Sequence, residues 1–224
     1  YGFDIASPVA ELVPYLSAAG ELKTKPTQHS VKTLMESGIK ADILVCRTEH
    51  EISSDIKDKL ALFCNVKREA VIQSIDASTI YDVPILMQEE GLDTVTLHKL
   101  ALPDNTQPDL TRWRQFLERH KNPKHEVTIG LIGKYVELQD SYKSILESFI
   151  HAGAVNEVRV NVRSIHSEHI NMNKLDQSMK GLDGILVAPG FGERGIEGKV
   201  RAVQYARENG IPFLGICLGM QMAV

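Results

Sequence analysis

Near its C-terminal end, the sequence places a cysteine between two glycines directly after an apolar run. Residues 211–216 are typical of a short buried strand, and Gly215-Ile216-Cys217-Leu218-Gly219 overlaps its end. Glycines tolerate a tight turn and let other segments approach, and the N-terminus of a following helix favours a thiolate. The pattern is the G-x-nucleophile-x-G turn with cysteine as nucleophile. The alternative is a buried cysteine that only ends a core strand.

A second glycine-rich segment is predicted to lie beside this turn. Residues 184–188 are typical of a buried strand, and it runs into a loop that contains Gly190. If the two parallel strands are neighbours, the N–H groups around Gly190 and of Leu218 converge on an oxygen held at Cys217, which would form an oxyanion hole. Taken alone, the Gly190 loop would be a simple tight turn. A cysteine nucleophile also needs a histidine base and a carboxylate, which we expect beyond Val224.

The first half of the chain contains a candidate anion site. Lys23 and Lys25 are two residues apart, just ahead of a helix that is predicted to begin near Thr27 or Gln28. Lysine ammonium groups, threonine hydroxyls and the N–H groups of a helix start suit phosphates. Pro26 is expected to keep the residue before it out of the helix. The alternative is a solvated loop with two ordinary lysines.

Strand and helix patterns alternate in both halves, which predicts βαβ units with parallel sheets and ligands at the carboxyl ends of the strands. We therefore predict an α/β protein with two doubly wound, Rossmann-like units. The expected boundaries are a first domain over residues 1–102, a linker with a packed helix over 103–125, and a second domain over 126–224.

Composition excludes several functional classes. The net charge is −4 with both signs interspersed, which argues against nucleic-acid binding. The cysteines, Cys46, Cys64 and Cys217, are odd in number and widely spaced, which argues against disulfides and zinc knuckles and favours a reducing cytoplasm. No apolar run is long enough to span a membrane. His166 and His169 have the spacing of metal ligands, but without a third partner nearby we expect no metal site.

Five segments together resemble the CTP synthases, which are glutamine-hydrolysing amidoligases. These segments are residues 21–30, 63–66, 129–135, 189–195 and 215–221. The resemblance runs from about Leu12 to the last residue. The lysine-rich segment is specific to that family, whereas the cysteine turn alone would indicate only a class I glutamine amidotransferase. Because the chain lacks an initial Met and ends soon after Gln221, we expect it to be an internal fragment.

The resemblance implies roles for particular residues. It assigns a UTP and CTP site to Lys23, Thr24, Lys25, Pro26, Thr27, Gln28 and Lys59. It assigns an ATP-binding segment to Ile75, Asp76 and Ala77. Cys217 would be the thiol that forms a glutamyl thioester, and the glutamine site would comprise Gly190, Leu218, Gly219, Met220 and Gln221. From its position alone, Lys59 would be an ordinary surface lysine.

The resemblance also implies an activity. ATP and Mg²⁺ would phosphorylate O4 of UTP, and ammonia from glutamine would displace that phosphate to give CTP. GTP would activate the glutaminase step, CTP would be a feedback inhibitor, and the enzyme would be a cytoplasmic homotetramer. The family's phosphate-binding glycine loop, Mg²⁺ ligands and triad His and Glu are missing, so the chain alone is expected to be inactive. The alternatives are another class I glutamine amidotransferase and a non-catalytic nucleotide-binding or assembly module.

Overall fold

The chain folds into two compact units, Tyr1–Leu110 and Thr111–Val224. The computed structural model describes residues 6–105, 107–170 and 175–224. Each unit combines helices with a parallel β-sheet, which confirms the predicted fold class. No helix within the described ranges is long and apolar enough to cross a membrane.

The first unit is built on a parallel sheet with the strand order β1-β4-β5. Strands β2 and β3 form a separate antiparallel pair. In chain order the elements are β1 (Pro8–Leu12), β2 (Tyr15–Leu16), β3 (Glu21–Leu22), α1 (Lys25–Glu36), β4 (Ile43–Thr48), α2 (Ser54–Cys64), β5 (Val71–Ile75), α3 (Val83–Glu89) and α4 (Leu92–Lys99).

Helix α2 forms where its capping residues predict it. The Ser53 hydroxyl accepts a hydrogen bond from the N–H of Ile56 at 3.4 Å, and Asn65 ends the helix with a left-handed φ of 54°. The apolar side of the helix, which includes Leu60 and Cys64, joins a buried cluster with Leu44 of the central strand. This packing places one end of α2 near the start of α1, where the candidate anion site lies.

Helix α1 begins two or three residues earlier than the predicted start near Thr27 or Gln28. It begins at Lys25, with Thr24 as its N-terminal flanking residue and Pro26 in its first turn. Proline is tolerated there because the N–H groups of a first turn have no partner inside the helix. The prediction that Pro26 keeps Lys25 out of the helix is therefore wrong. Consequently the two lysines do not lie on one extended strand.

The second unit is built on a parallel sheet with the strand order β7-β6-β8-β9. In chain order its elements are α5 (Thr111–Lys121), β6 (His125–Gly133), α6 (Lys143–Asn156), β7 (Val158–His166), α7 (Leu175–Met179), β8 (Gly184–Val187), α8 (Ile196–Glu208), β9 (Phe213–Gly215) and α9 (Leu218–Gln221). The helix expected in the linker, α5, packs on α6 within this unit.

Helices cover both faces of the second sheet. Along β6, Leu131 joins one buried cluster and Ile132 joins another. On β8, Leu186 joins the same cluster as Leu131, and Val187 joins the same cluster as Ile132, because successive side chains of a strand point to opposite faces. Such two-sided burial explains why these strands are continuous apolar runs in the sequence.

Candidate active site

Cys217 lies in the sharp turn between β9 and α9. Its backbone has φ 52° and ψ −111°, a conformation that non-glycine residues rarely adopt. The residue is exposed, unlike Cys46 and Cys64, which are buried. A strained backbone that presents a solvent-accessible thiol is the geometry expected of a nucleophile turn.

The two glycines of the turn allow a close approach that no other residue would permit. A Cβ on Gly215 would lie 2.5 Å from the backbone carbon of Gly219. A Cβ on Gly219 would collide with the carbonyl oxygen of Val187, at the end of β8. The same oxygen accepts a hydrogen bond from the N–H of Ile216 at 3.1 Å. The turn therefore packs directly against the end of the neighbouring strand, β8.

The second glycine loop lies beside the cysteine turn, as predicted. Strands β8 and β9 are hydrogen-bonded neighbours, with Val187 opposite Gly215. A Cβ on Gly190 would lie 3.8 Å from Cδ2 of Leu218, so the two loops approach one another closely. Of the other residues assigned to the glutamine site, Gly219 is buried, and Met220 and Gln221 are exposed on α9.

Lys199 is a buried cation next to these loops that the sequence analysis missed. Its side chain is only 2% exposed. Its Nζ donates a hydrogen bond to the carbonyl oxygen of Ala188 at 3.0 Å. Burial and then the charge of Lys134 lower the pKa of Lys199, and Cys217 opposes this effect. A detectable signal was its spacing, since it precedes the buried Ala202 and Ala206 by three and seven residues on one face of α8.

The candidate nucleotide site of the first unit is a cavity of about 490 Å³. Its lining consists of Glu21, Leu22, Lys23, Thr24, Lys25, Ile56 and Lys59. The structure thus brings three separate lysines together, although Lys59 comes from α2 and had appeared to be an ordinary surface residue. Lys23 forms an ion pair with Glu21. Within this pair, Lys23 donates a hydrogen bond to the Glu21 carboxylate. This hydrogen bond, together with the charges of Lys23 and Lys59, lowers the pKa of the Glu21 carboxyl.

Two other residues of the lysine-rich segment make contacts within the protein. The Thr27 hydroxyl is fully buried and donates to the carbonyl oxygen of Leu12 at 2.7 Å. The Gln28 amide donates to the Thr24 hydroxyl at 3.0 Å. The Thr27 bond gives this residue a structural role, since it ties α1 to the end of β1. Pro26 is exposed in the first turn of α1.

The segment predicted to bind ATP lies at the carboxyl end of β5. Ile75 is the last residue of the strand, and the Asp76 N–H donates to the carbonyl oxygen of Thr48 at 3.2 Å. The Asp76 carboxylate forms an ion pair with Arg47 at 2.5 Å. Ala77 follows in the loop. These positions agree with the expectation that ligands bind at the carboxyl ends of parallel strands.

His166 and His169 have a third partner, which corrects the expectation that none lies nearby. Glu137 offers an oxygen within 4.8 Å of the ligand atoms of both histidines, and the two rings stack with centroids 4.1 Å apart. However, the Nδ1 atom of His166 accepts the N–H of Glu168 at 3.2 Å. This bond requires the proton of the neutral ring to be on Nε2, the atom that faces Glu137, which disfavours a metal bound at that nitrogen.

A cavity of about 370 Å³ in the second unit was also not anticipated. Asp140, Tyr142, Lys143 and Glu147 contribute its polar lining. The Tyr142 hydroxyl accepts hydrogen bonds from the N–H groups of Lys134 and Tyr135, at 3.2 Å and 3.4 Å, and so holds the turn after β6.

Comparison with known proteins finds similarity over both units. Residues 4–102 match the family described as CTP synthase N-terminus, and residues 137–224 match Glutamine amidotransferase class-I. The chain is 78% identical over 213 residues to a CTP synthase of Flavobacterium psychrophilum, covering 95% of this chain and 40% of that protein. A CTP synthase of Christiangramia forsetii is 79% identical over 213 residues, covering 95% of this chain and 39% of that protein.

Among solved structures, the chain is similar to one described as "Trypanosoma brucei CTPS - glutaminase domain with bound acivicin". The identity is 40%, the match covers 44% of this chain and 39% of that chain, and the TM-score is 0.41. The chain spans about 40% of the length of the curated relatives it matches. In this chain, a region similar to the CTP synthase N-terminus therefore precedes a region similar to class-I glutamine amidotransferases, and 95% of the chain is similar to CTP synthases.

Proposed function

We propose that this chain is part of an enzyme that aminates UTP to CTP, using ATP and ammonia from glutamine. The observation that carries the proposal is the exposed, strained Cys217 with the Gly190 loop beside it. This arrangement suits hydrolysis of an amide through a thioester. The lysine-lined cavity of the first unit would be the site that binds the nucleoside triphosphate.

In the glutaminase step, the Cys217 thiolate attacks the side-chain amide carbon of glutamine. A C–S bond forms, and the carbonyl oxygen becomes an oxyanion that N–H groups around Gly190 and of Leu218 would stabilise. Collapse of this intermediate breaks the C–N bond, and the leaving NH₂ group takes up the proton that the Cys217 thiol released, so that it departs as ammonia. Water then hydrolyses the thioester to glutamate and regenerates the thiol.

In the synthetase step, the role of this chain would be to bind and orient the pyrimidine nucleotide. Lys25 and Lys59 are exposed and can turn toward phosphates, whereas Lys23 would exchange Glu21 for a phosphate oxygen. Thr24 is buried at the start of α1, where backbone N–H groups add to the attraction for an anion. Thr27 and Gln28 would support these residues from behind through their contacts with Leu12 and Thr24.

ATP would be bound at the end of β5, where Ile75, Asp76 and Ala77 lie. The residues around Asp76 do not fit a magnesium site, because its carboxylate pairs with Arg47. In the described ranges, the only group of three potential metal ligands contains two histidines, whereas Mg²⁺ prefers oxygen ligands. The proposal also includes activation of the glutaminase by GTP, feedback inhibition by CTP and assembly into a homotetramer. These three properties are proposed from the resemblance to CTP synthases.

The decisive experiment compares two nitrogen sources in the complete protein. Cys217→Ala should lower glutamine-dependent CTP formation by at least ~10³-fold, because the thioester cannot form. CTP formation from added ammonium chloride should stay unchanged, since free ammonia bypasses the thiol. The matched control is Cys64→Ala, which removes a buried thiol and should retain both activities.

Two results would contradict the proposal. Equal loss of CTP formation with both nitrogen sources would show that Cys217 is not specific to the glutaminase step. Wild-type protein that hydrolyses glutamine but forms no CTP from either nitrogen source would indicate another glutamine amidotransferase.

A further inference from the structure

Lys199 is buried and, among the residues that the structure describes, has no carboxylate partner. Within the part of the chain that the structure describes, its polar contact is the carbonyl oxygen of Ala188, and no carboxylate forms an ion pair with it. Lysine is rarely fully buried unless it is paired, because removing an ammonium group from water is costly. The position faces the core of the second unit, where α8 otherwise presents Ala202 and Ala206. An apolar side chain there would avoid this cost.

The location of the ammonium group indicates a use for it. Both backbone groups of Ala188 are held, since its N–H donates to Ile132 at 2.9 Å and its carbonyl oxygen accepts from Lys199. Two residues later, a Cβ on Gly190 would lie 3.2 Å from Nζ of Lys199. Nζ of Lys199 therefore lies close to both Ala188 and Gly190, at the start of the Gly190 loop. The same Cβ would lie 3.8 Å from Cδ2 of Leu218, so Lys199 and Leu218 both approach this loop at Gly190.

We propose that Lys199 is a positioning residue that holds the Gly190 loop in the orientation needed to stabilise the oxyanion formed at Cys217. The inference rests on the proposed glutaminase function and deepens it. The Ala188–Lys199 hydrogen bond fixes the peptide just before Gly190, and the Nζ atom of Lys199 lies close to Gly190 itself. The charge of a Cys217 thiolate raises the pKa of Lys199, which agrees with a position within electrostatic reach of the sulfur.

Loss of this support should affect the transition state more than substrate binding. An oxyanion forms only during the reaction, so a displaced N–H group lowers kcat while KM changes little. Removal of one oxyanion donor typically lowers kcat ~10²–10³-fold. For a donor that is present but less well held, we expect a loss of about 10-fold to 100-fold.

The test uses the complete protein with Lys199→Met, which keeps an unbranched side chain of similar length without a donor. Lys199→Arg keeps both a donor and the charge. The matched control is Ala206→Gly, which perturbs the same helix two turns away from the loop. For each variant, kcat and KM for glutamine, ammonia-dependent CTP formation and the unfolding temperature are measured.

We expect Lys199→Met to lower kcat for glutamine hydrolysis at least ~10-fold, with KM within about threefold of wild type and ammonia-dependent CTP formation unchanged. Lys199→Arg should recover most of the loss. Ala206→Gly should lower the unfolding temperature without changing kcat. If Lys199→Met does not fold, Lys199→Ala removes the same donor and is judged by the same criteria.

Three outcomes would overturn the inference. These are a kcat that stays within about twofold of wild type, a loss of kcat that Ala206→Gly reproduces, and a parallel loss of ammonia-dependent CTP formation. Wild-type protein that hydrolyses no glutamine would instead contradict the proposed function. The two failures are thus distinguishable in one set of assays.

Discussion

The lysine-lined cavity of the first unit and the cysteine turn of the second unit are held in place by different means. In the cavity, charged side chains from β3, α1 and α2 converge, and Lys25 and Lys59 are exposed. At the turn, the geometry is set by the backbone, through a positive φ at Cys217 and glycines packed against Val187. A site made of exposed charges should respond gradually to substitution and strongly to salt. A site made of backbone contacts should fail abruptly when a single methyl group is added.

The three cysteine thiols differ most clearly in their exposure to solvent. Burial raises the pKa of Cys46 to about 12 and that of Cys64 to about 11, whereas Cys217 is exposed. At about pH 8, a thiol with a pKa of 12 is ionised in only ~1 molecule in 10⁴. Iodoacetamide should therefore modify one site, Cys217, in the native protein and all three after unfolding, as read by mass spectrometry. Comparable native labelling of Cys46 or Cys64 would contradict the buried environment.

The same pKa shifts predict how stability depends on pH. Folding raises both pKa values above the ordinary value of 9.0, so the native state holds its thiol protons more tightly. Their contribution to the free energy of unfolding is complete below about pH 9 and is lost as the pH rises toward 12. Urea titrations across this range, with Cys217→Ala as a control that retains both buried thiols, would measure the slope.

Gly219→Ala should break the backbone-held site. The added Cβ would collide with the Val187 carbonyl oxygen, which cannot move without disturbing β8. We expect a loss of about 2–4 kcal/mol in the free energy of unfolding and of most glutaminase activity. The control is Gly38→Ala, where φ is 82° but nothing lies within 4 Å of the added Cβ. If both variants lose the same stability, the close contact at Gly219 is not the constraint.

Lys25→Ala should weaken the charge-held site in a graded way. Lys25 lines the cavity, whereas Lys32, on the same helix, is exposed and lies four residues before Glu36. We expect Lys25→Ala to weaken UTP or CTP binding about 10-fold at low salt and less at high salt, and Lys32→Ala to change it less than about twofold. Calorimetry at two salt concentrations measures both. Equal effects of the two variants would argue against a site at this cavity.

Thr27→Val should have the smallest effect on nucleotide affinity. It tests whether a residue beside the lysine-lined cavity acts only through its contact within the protein. The hydroxyl is buried and donates to Leu12, so its loss should lower the free energy of unfolding by about 1–2 kcal/mol. Nucleotide affinity, measured by calorimetry, should stay within about twofold of wild type. A tenfold loss of affinity with unchanged stability would instead show that the hydroxyl contacts the ligand.

The sequence predicted the elements that depend on local patterns. Alternating apolar segments predicted both parallel sheets, and the paired glycines marked the turn at Cys217. The predicted start of α1 was two or three residues too late, because Pro26 was expected to keep the residue before it out of the helix, although proline also fits a first helical turn. The resemblance to CTP synthases, rather than residue spacing, supplied Lys59 and the ATP segment.

The remaining site residues depend on contacts between distant parts of the chain. Lys199 looks like an ordinary helix lysine until α8 is packed on the sheet. The approach of Glu137 to His166 and His169 joins segments that are far apart in sequence. The partner of the Thr27 hydroxyl lies 15 residues earlier. Spacing within a short window cannot predict such contacts, because they follow from the tertiary arrangement.

The cysteine turn packs closely against Val187. The side-chain positions that this packing restricts are those next to the reactive residue, whereas the Cys217 side chain itself is not restricted by it. Gly215 and Gly219 make the close contacts, while the Cys217 side chain is exposed to solvent. A relative could therefore exchange the thiol for another small side chain and keep this fold nearly unchanged. In such a lineage, loss of the glutaminase would leave little trace in stability or overall structure. The identity of the single residue at the turn would then distinguish an active copy from an inactive one.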